Sequence, residues 1–308
     1  MKQIINRGSF LTLMFMLLGC LSLYAADNDL ITKQITIKLE RAGTLPDRIE
    51  SSKKYKITNL KIIGEINGTD LKMIREMAGR MAESDDYTDG KLSVLDLSEA
   101  KIVEGGGRYY KDKYNNNYYT SNDVIGIYAF YDCSGLTSLN LPAGITSIGN
   151  QAFQFCSGLT SLTLPTGITW IGSDAFCNCS GLTSLNLPAG ITKIYDFAFN
   201  GCRGLTSIYV YAEKVPEIGR NVFDGFYAKK CTLYVPMGTR DDYRLSDFGD
   251  YFENIVEFDA TGIDKTTTST DVEEVARYSV NGQRLSAPTK GLNIVKYSDG
   301  SVKKVAVR

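Results

Sequence analysis

The sequence predicts an α/β repeat solenoid: coils of 23 residues stacked on a parallel β ladder, closed by a small N-terminal α+β cap and followed by a C-terminal β module. Three observations predict it. Phe130, Phe153, Phe176 and Phe199 recur every 23 residues, each followed by a cysteine, Cys133, Cys156, Cys179 and Cys202. Each cysteine leads into Gly-Leu-Thr-Ser, with Leu136, Leu159, Leu182 and Leu205 at one offset, and the first three units continue as Leu-x-Leu-Pro-x-Gly-Ile-Thr-x-Ile. A period this short cannot close a core alone, so neighbouring units must stack.

Positions that repeat without change meet equivalent surroundings in every coil, so the invariant apolar ones point inward. In the second unit these are Phe153, Cys156, Leu159, Leu162, Leu164, Ile168 and Ile171, with Ala152 small enough for a tight corner. Burying each large one is worth roughly 1.5–3 kcal/mol, and the entropy of ordering the coil offsets most of that. Stability is therefore expected to be a nearest-neighbour sum. Leu-Thr-Ser-Leu-Asn-Leu alternates like a short strand with one face in and one out. Pro142, Pro165 and Pro188, which cannot donate to a ladder, end these strands. Ile-Thr-x-Ile-Gly reads as a second short extended segment, and the Ala-Phe corner as a helical turn.

Along the chain, Lys2 and Arg7 ahead of an apolar run from Phe10 to Leu18 mark residues 1–25 as a secretion signal. Two processing routes are open. Leu17-Leu18-Gly19-Cys20 would lipidate Cys20, whereas Leu23-Tyr24-Ala25 offers a small-residue cleavage site; the second is favoured because polar residues begin only at Asp27. No later stretch is long enough to span a membrane. Residues 26–90 read as the N-terminal cap, with strands at 31–39 and 57–63, a helix between them and an amphipathic helix at 69–82. Residues 91–129 form a degenerate first coil, in which Leu92, Leu95 and Leu97 keep the spacing of Leu136, Leu139 and Leu141. It carries a tyrosine-rich insertion at 104–123, expected to project as a loop. Residues 130–210 are the regular coils.

Residues 211–260 hold the last repeat and the C-terminal cap. Phe223 continues the phenylalanine row, the segment from Cys231 to Pro236 is the last strand, and Tyr243, Phe248, Phe252, Ile255 and Val256 supply apolar groups to close the stack. Residues 261–275, rich in Thr, Ser and charge, read as a linker. Residues 276–308 read as a β module with hairpins turning at Asn281-Gly282 and Asp299-Gly300.

Leu-x-x-Leu-x-Leu with its cysteine and Ala-Phe corner resembles the leucine-rich repeats of the BspA-like family of bacterial surface proteins. It departs from the common leucine-rich repeat, since Gly144, Gly167 and Gly190 stand where an Asn or Cys would follow the strand. The asparagine ladder of ordinary horseshoes is therefore missing. The C-terminal module, with Lys290-Gly291-Leu292-Asn293-Ile294-Val295 and a basic end, resembles the sorting modules of secreted Bacteroidetes proteins. Together the resemblances imply an extracellular or outer-surface protein. They imply a function in adhesion, binding host matrix proteins of the fibronectin or fibrinogen class, or other bacteria.

The chain contains no histidine, which removes Ser-His and Cys-His nucleophile pairs, His general bases and His-ligated zinc. A paired-carboxylate glycosidase remains conceivable, but Asp132, Asp174 and Asp196 fall at different offsets, as scattered surface charges do. No catalytic residue, metal or cofactor is expected. Asp85, Asp89, Gly90 and Asp96 imitate part of a calcium loop, yet Tyr87 spoils it and Asp96 lies inside a strand. The four ladder cysteines share one inward position and are expected as free thiols; Cys177, outside the pattern, is expected to be exposed. A net charge of −1 gives no basic patch for nucleic acid.

What remains is binding. Tyr109, Tyr110, Tyr114, Tyr118 and Tyr119 of the insertion have the adaptable contact chemistry of binding surfaces. Asn140, Thr163 and Asn186 lie on the outward strand face, a row of small hydrogen-bonding groups suited to a glycan or peptide edge, or to solvent. Trp170 replaces Ser147 and Lys193 of neighbouring coils and is expected to face outward, toward a sugar or partner or packed on the Lys193 stem. The expected function is thus non-catalytic adhesion, with a glycan-binding or carbohydrate-active scaffold as the alternative and a passive spacer as the third.

Overall fold

The computed structural model describes residues 29–84, 86–225 and 228–260, and beyond them the strands Glu274–Ser279, Arg284–Leu285, Gly291–Tyr297 and Val302–Val307. The expected secretion signal with Cys20, most of the expected linker and the two expected hairpin turns lie outside the described residues. The chain divides into two units, Met1–Ala260 and Thr261–Arg308.

In the first unit each coil contributes a strand to each of two parallel sheets. The outward-alternating segments become Ser138–Asn140, Ser161–Thr163, Ser184–Leu187, Ser207–Val210 and Thr232–Pro236. They extend a sheet begun by Ile35–Lys38, Asn59–Ile66 and Val94–Ile102, whose ladder pauses between Ser161–Thr163 and Ser184–Leu187. Leu139 pairs in register with Leu162, and Leu185 with Ile208. The second sheet is built from Val124–Ile125, Ser147–Ile148, Trp170–Ile171, Lys193–Ile194 and Glu217–Ile218.

Between the sheets run the inward rows. Rings of Phe130, Phe153, Phe176, Phe199 and Phe223 stack with centroids 5.3, 5.0, 5.2 and 5.8 Å apart and planes within 8° of parallel. Cys133, Cys156, Cys179 and Cys202, each three residues after one of the first four rings, are buried and free. Cys156, Cys179 and Cys202 donate their thiol protons to the carbonyls of Phe130, Phe153 and Phe176 at 3.0–3.1 Å. Threonines do the same on the strand side, Thr160 to Thr137 and Thr206 to Thr183 at 3.1 Å, and Thr169 and Thr192 repeat the pattern beside the second sheet. Thiol and hydroxyl ladders thus occupy the role of the absent asparagines: each satisfies a backbone carbonyl of the preceding coil.

The Ala-Phe corner is not the helical turn expected. Each corner phenylalanine is bracketed by two residues in the left-handed region, one row being Tyr128, Gln151, Asp174 and Phe197, the other Asp132, Phe155, Asn178 and Gly201. Backbone N–H groups there bond to the next coil, Phe153 to Ala175 and Phe155 to Cys177, rather than along a helix. Asp132 and Asp174 are therefore turn residues in different corner rows, and Asp196 accepts the Arg220 backbone and guanidinium; all three are partly buried. Cys177 is buried, contrary to expectation, because its corner folds inward beside Asn178, whose amide reaches its sulfur at 3.3 Å.

At the N-terminal end the amphipathic helix is Gly68–Met77. Asn67 accepts from Thr69 N, and buried Asp70 accepts from the N–H groups of Asn67, Gly43 and Leu45 at 2.6–2.9 Å, tying the helix start to the preceding loop. The helix ends five residues short of Ala82 because Gly79 takes φ +96° just past it. At the other end Arg240–Arg244 and Asp247–Tyr251 are short helices that lay Phe248 and Phe252 against Phe223, and Tyr243 donates to Ala212 O at 2.7 Å. Thr232–Pro236 is not the last strand. Asn254–Phe258 pairs with it in parallel, so Ile255 and Val256, read as cap residues, belong to the ladder. The second unit is a four-stranded antiparallel sheet in the order Arg284–Leu285, Glu274–Ser279, Gly291–Tyr297, Val302–Val307.

Candidate functional site

The tyrosine-rich insertion is a hairpin of Gly105–Lys111 and Asn117–Thr120, laid against the helix Gly68–Met77. Gly106 makes that approach possible: a Cβ there would lie 2.3 Å from Asn67 Oδ1. Gly107 N–H donates to Thr69 Oγ1 at 2.9 Å. The expectation of five projecting tyrosines is corrected at two of them. Tyr109 and Tyr110 are buried, 1% and 2% exposed. Alternation along the hairpin sends Tyr109 into the core, where its hydroxyl donates to Ile127 O at 2.7 Å and burial pushes its pKa upward. The Arg75 guanidinium lies 4.5 Å from the Tyr110 ring centroid.

Arg75 itself is buried and donates to the carbonyls of Tyr128 and Ala129. Tyr118 is half-buried; its hydroxyl donates to Asp112 Oδ2 at 3.0 Å, and burial, with Asp112 beside it, pushes its pKa up to about 12. Only Tyr114 and Tyr119, 74% and 55% exposed, present their rings to solvent. From the root of the hairpin an aromatic chain runs onto the coils. Tyr110 meets Tyr128 at 5.2 Å, Tyr128 meets Tyr131 at 5.4 Å, and Tyr131 meets Phe155 at 5.8 Å.

The other candidates lie on the two sheets. Asn140, Thr163 and Asn186 are exposed on the first sheet, where Asn140 faces Asp96 and Thr163 in register. Beyond Asn186 the row becomes aromatic: Tyr209 stacks on Tyr234 at 4.3 Å, and Phe258 stands edge-on to Tyr209 and Tyr211. Sequence reading missed these four, although Tyr209 sits at the offset of Asn186. Trp170 is on the second sheet, in register with Ser147 and Lys193. It is partly exposed and packs its edge against Tyr195 at 6.1 Å, while Lys193 turns to Glu217 at 3.1 Å. The structure thus distributes the candidates over a hairpin and two sheets.

Parallel strands in successive coils, inward leucine and phenylalanine rows and few helices define a leucine-rich repeat solenoid. Within it, residues 115–236 match in six copies a family model described as BspA type leucine rich repeat region. Among solved structures the chain is similar to a leucine rich repeat protein of T. pallidum, at 18% identity and TM-score 0.37 over 75% of this chain and 94% of that one. It is similar also to a leucine rich cell surface protein from Faecalibacterium prausnitzii, at 18% identity and TM-score 0.32 over 73% of this chain and 54% of that one. A leucine-rich repeat protein from Bacteroides ovatus gives 18% and 0.31 over 73% and 66%. No curated protein matches the chain.

Proposed function

We propose that this is a non-catalytic, exported surface protein that binds host extracellular proteins of the fibronectin or fibrinogen class, or a component of other bacterial cells. One observation carries the reading: the outer tyrosines of the hairpin, Tyr114 and Tyr119, are exposed while its root is fixed by buried Tyr109 and Tyr110. Contact rings held on a rigid base bind without the cost of ordering a loose loop. Residues 1–25 direct export, and residues 276–308 serve as a sorting-like module for display or release.

The test is a surface-binding assay of the mature chain on an array of matrix proteins and bacterial surface components, alongside the double variant Tyr114→Ala/Tyr119→Ala. Removing the whole insertion would open the core at Tyr109 and Tyr110, whereas this variant leaves the root intact. Saturable binding that falls at least tenfold in the variant is expected, the two rings being contact anchors. Equal binding by both forms would move the site off the hairpin, and no binding to any protein would leave a spacer.

A further inference from the structure

The aromatic chain that leaves the hairpin ends in a groove on the corner side of the coils, with a volume of about 660 Å³. Two rows line it at the coil period. Asp132, Phe155, Asn178 and Gly201 form one, and Ser134, Ser157, Ser180 and Arg203 the other. It spans three coil steps, about 15 Å at the sheet spacing.

Phe155 is the anomaly. Tyr128 and Phe197 are also left-handed aromatics, but half-buried ones outside this groove; Phe155 is the one that is exposed and lines it. All four residues of its row are left-handed, and Asp, Asn and Gly adopt that conformation readily, whereas a bulky aromatic does not. The residue is also 38% exposed, although the array could have held a small polar residue there at no strain. A strained, exposed aromatic at the floor of an open groove points to a ligand that stacks on it. At the far end Arg203 is exposed, and its guanidinium makes no ion pair among the described residues. The three serine hydroxyls between have no protein partner among the described residues. The backbone offers nothing further: the N–H groups of Asp132, Phe155, Asn178 and Gly201 are all spent on carbonyls of the next coil at 2.7–2.9 Å. An extended peptide seeking strand pairing therefore finds no edge, and the groove has no deep apolar pocket for its side chains.

We infer that this groove binds an acidic oligosaccharide of about three rings, one sugar stacking on Phe155, its hydroxyls met by Ser157, Ser180 and Asn178, and a carboxylate or sulfate held by Arg203. A guanidinium pairs such an oxyanion with two parallel N–H bonds. Asp132 at the opposite end is paired with Arg80 at 3.2 Å, which leaves Arg203 as the cation that receives the acid group. The inference stands apart from protein binding at the hairpin and goes beyond it.

The experiment titrates the mature chain with trigalacturonate, 3′-sialyllactose and a sulfated heparin trisaccharide, against lactose and a neutral galactose trisaccharide. Binding to at least one acidic probe, with the neutral ones about tenfold weaker or absent, is expected. Phe155→Gly suits a left-handed position, so it should weaken that binding about tenfold without lowering the thermal midpoint. Arg203→Gln should abolish the preference for the acidic probe. If no acidic probe binds, or if both variants bind like the parent, the inference is overturned. Loss of binding in Tyr114→Ala/Tyr119→Ala but not in Phe155→Gly would also overturn it, placing the sugar on the hairpin. Protein adhesion measured on the same variants separates the two sites, because Phe155→Gly should leave it unchanged.

Discussion

Replacing Phe176 with alanine should cost the array about 4 kcal/mol. The ring is fully buried and lies between Phe153 at 5.0 Å and Phe199 at 5.2 Å, with all three planes nearly parallel. Truncation forfeits the transfer free energy of the side chain, roughly 2–3 kcal/mol. It also leaves a cavity that cannot collapse, because Phe153 is held from behind by Phe130 and Phe199 by Phe223. Equilibrium unfolding in urea, read by the single tryptophan Trp170 of the preceding coil, measures the loss. A second comparison isolates the stacking. Phe153→Ala with Phe176→Ala removes one shared contact twice, so the double variant should fall short of additivity by about 0.5–1.5 kcal/mol. Phe130→Ala with Phe199→Ala, three steps apart and with no ring neighbour in common, should be additive within about 0.5 kcal/mol. A single loss below about 1.5 kcal/mol, typical of sites that collapse or are exposed, would refute the packing argument. Equal coupling in both pairs would refute the nearest-neighbour picture.

Further expectations follow from other contacts. Asp132→Asn keeps the left-handed turn but strands Arg80, whose side chain is 5% exposed, and should destabilise by about 2–3 kcal/mol in urea unfolding. Tyr109→Phe leaves Ile127 O without its donor and should cost about 1–2 kcal/mol in the same assay. Burial raises the Asp174 carboxyl above its ordinary value, with Asp196 adding to the rise. The ionised folded form is thus disfavoured, and the stability associated with the protonated acid is lost as pH climbs through the folded value. Asp174→Asn, also tolerant of the turn, should raise the thermal midpoint at pH 7, with the gain disappearing below the unfolded carboxylate range near pH 3.8. The six described cysteines are buried, and burial lifts Cys133 and Cys231 to about 11. A thiol reagent at pH 8 should label them only in denaturant.

The inward rows were legible because a solenoid writes each contact several times over. Phe153, Leu159, Leu162 and Ile171 needed no structure to be placed inside, and Pro165 marked where the strand stops. Legibility failed wherever a residue occurs once. Tyr109 and Tyr110 have the composition of a contact loop, but nothing in Gly-Gly-Gly-Arg-Tyr-Tyr says that the hairpin will lie on a helix forty residues upstream. The left-handed corners were hidden by Tyr128, Gln151, Phe155 and Phe197, residues that do not advertise that conformation; the signal lay in Asp174 in one row and in Asp132, Asn178 and Gly201 in the other. The closing strand Asn254–Phe258 was missed because Ile-Val between charges suits a cap as well as a ladder. The thiol and hydroxyl ladders needed distances, since an inward cysteine reads first as a small apolar residue.

Those ladders also decide how the array yields to force. Thiol, hydroxyl and amide bonds all run from one coil to the next, so a pull between Phe130 and Phe223 loads the junctions in series and opens the weakest coil first. Each coil that peels away releases a length of chain reaching about 75 Å when drawn straight, while the coils behind it stay intact. For a molecule fixed to a surface in flowing liquid, that is a brake: tension is spent on lengthening the tether in steps before it reaches the bond at the far end.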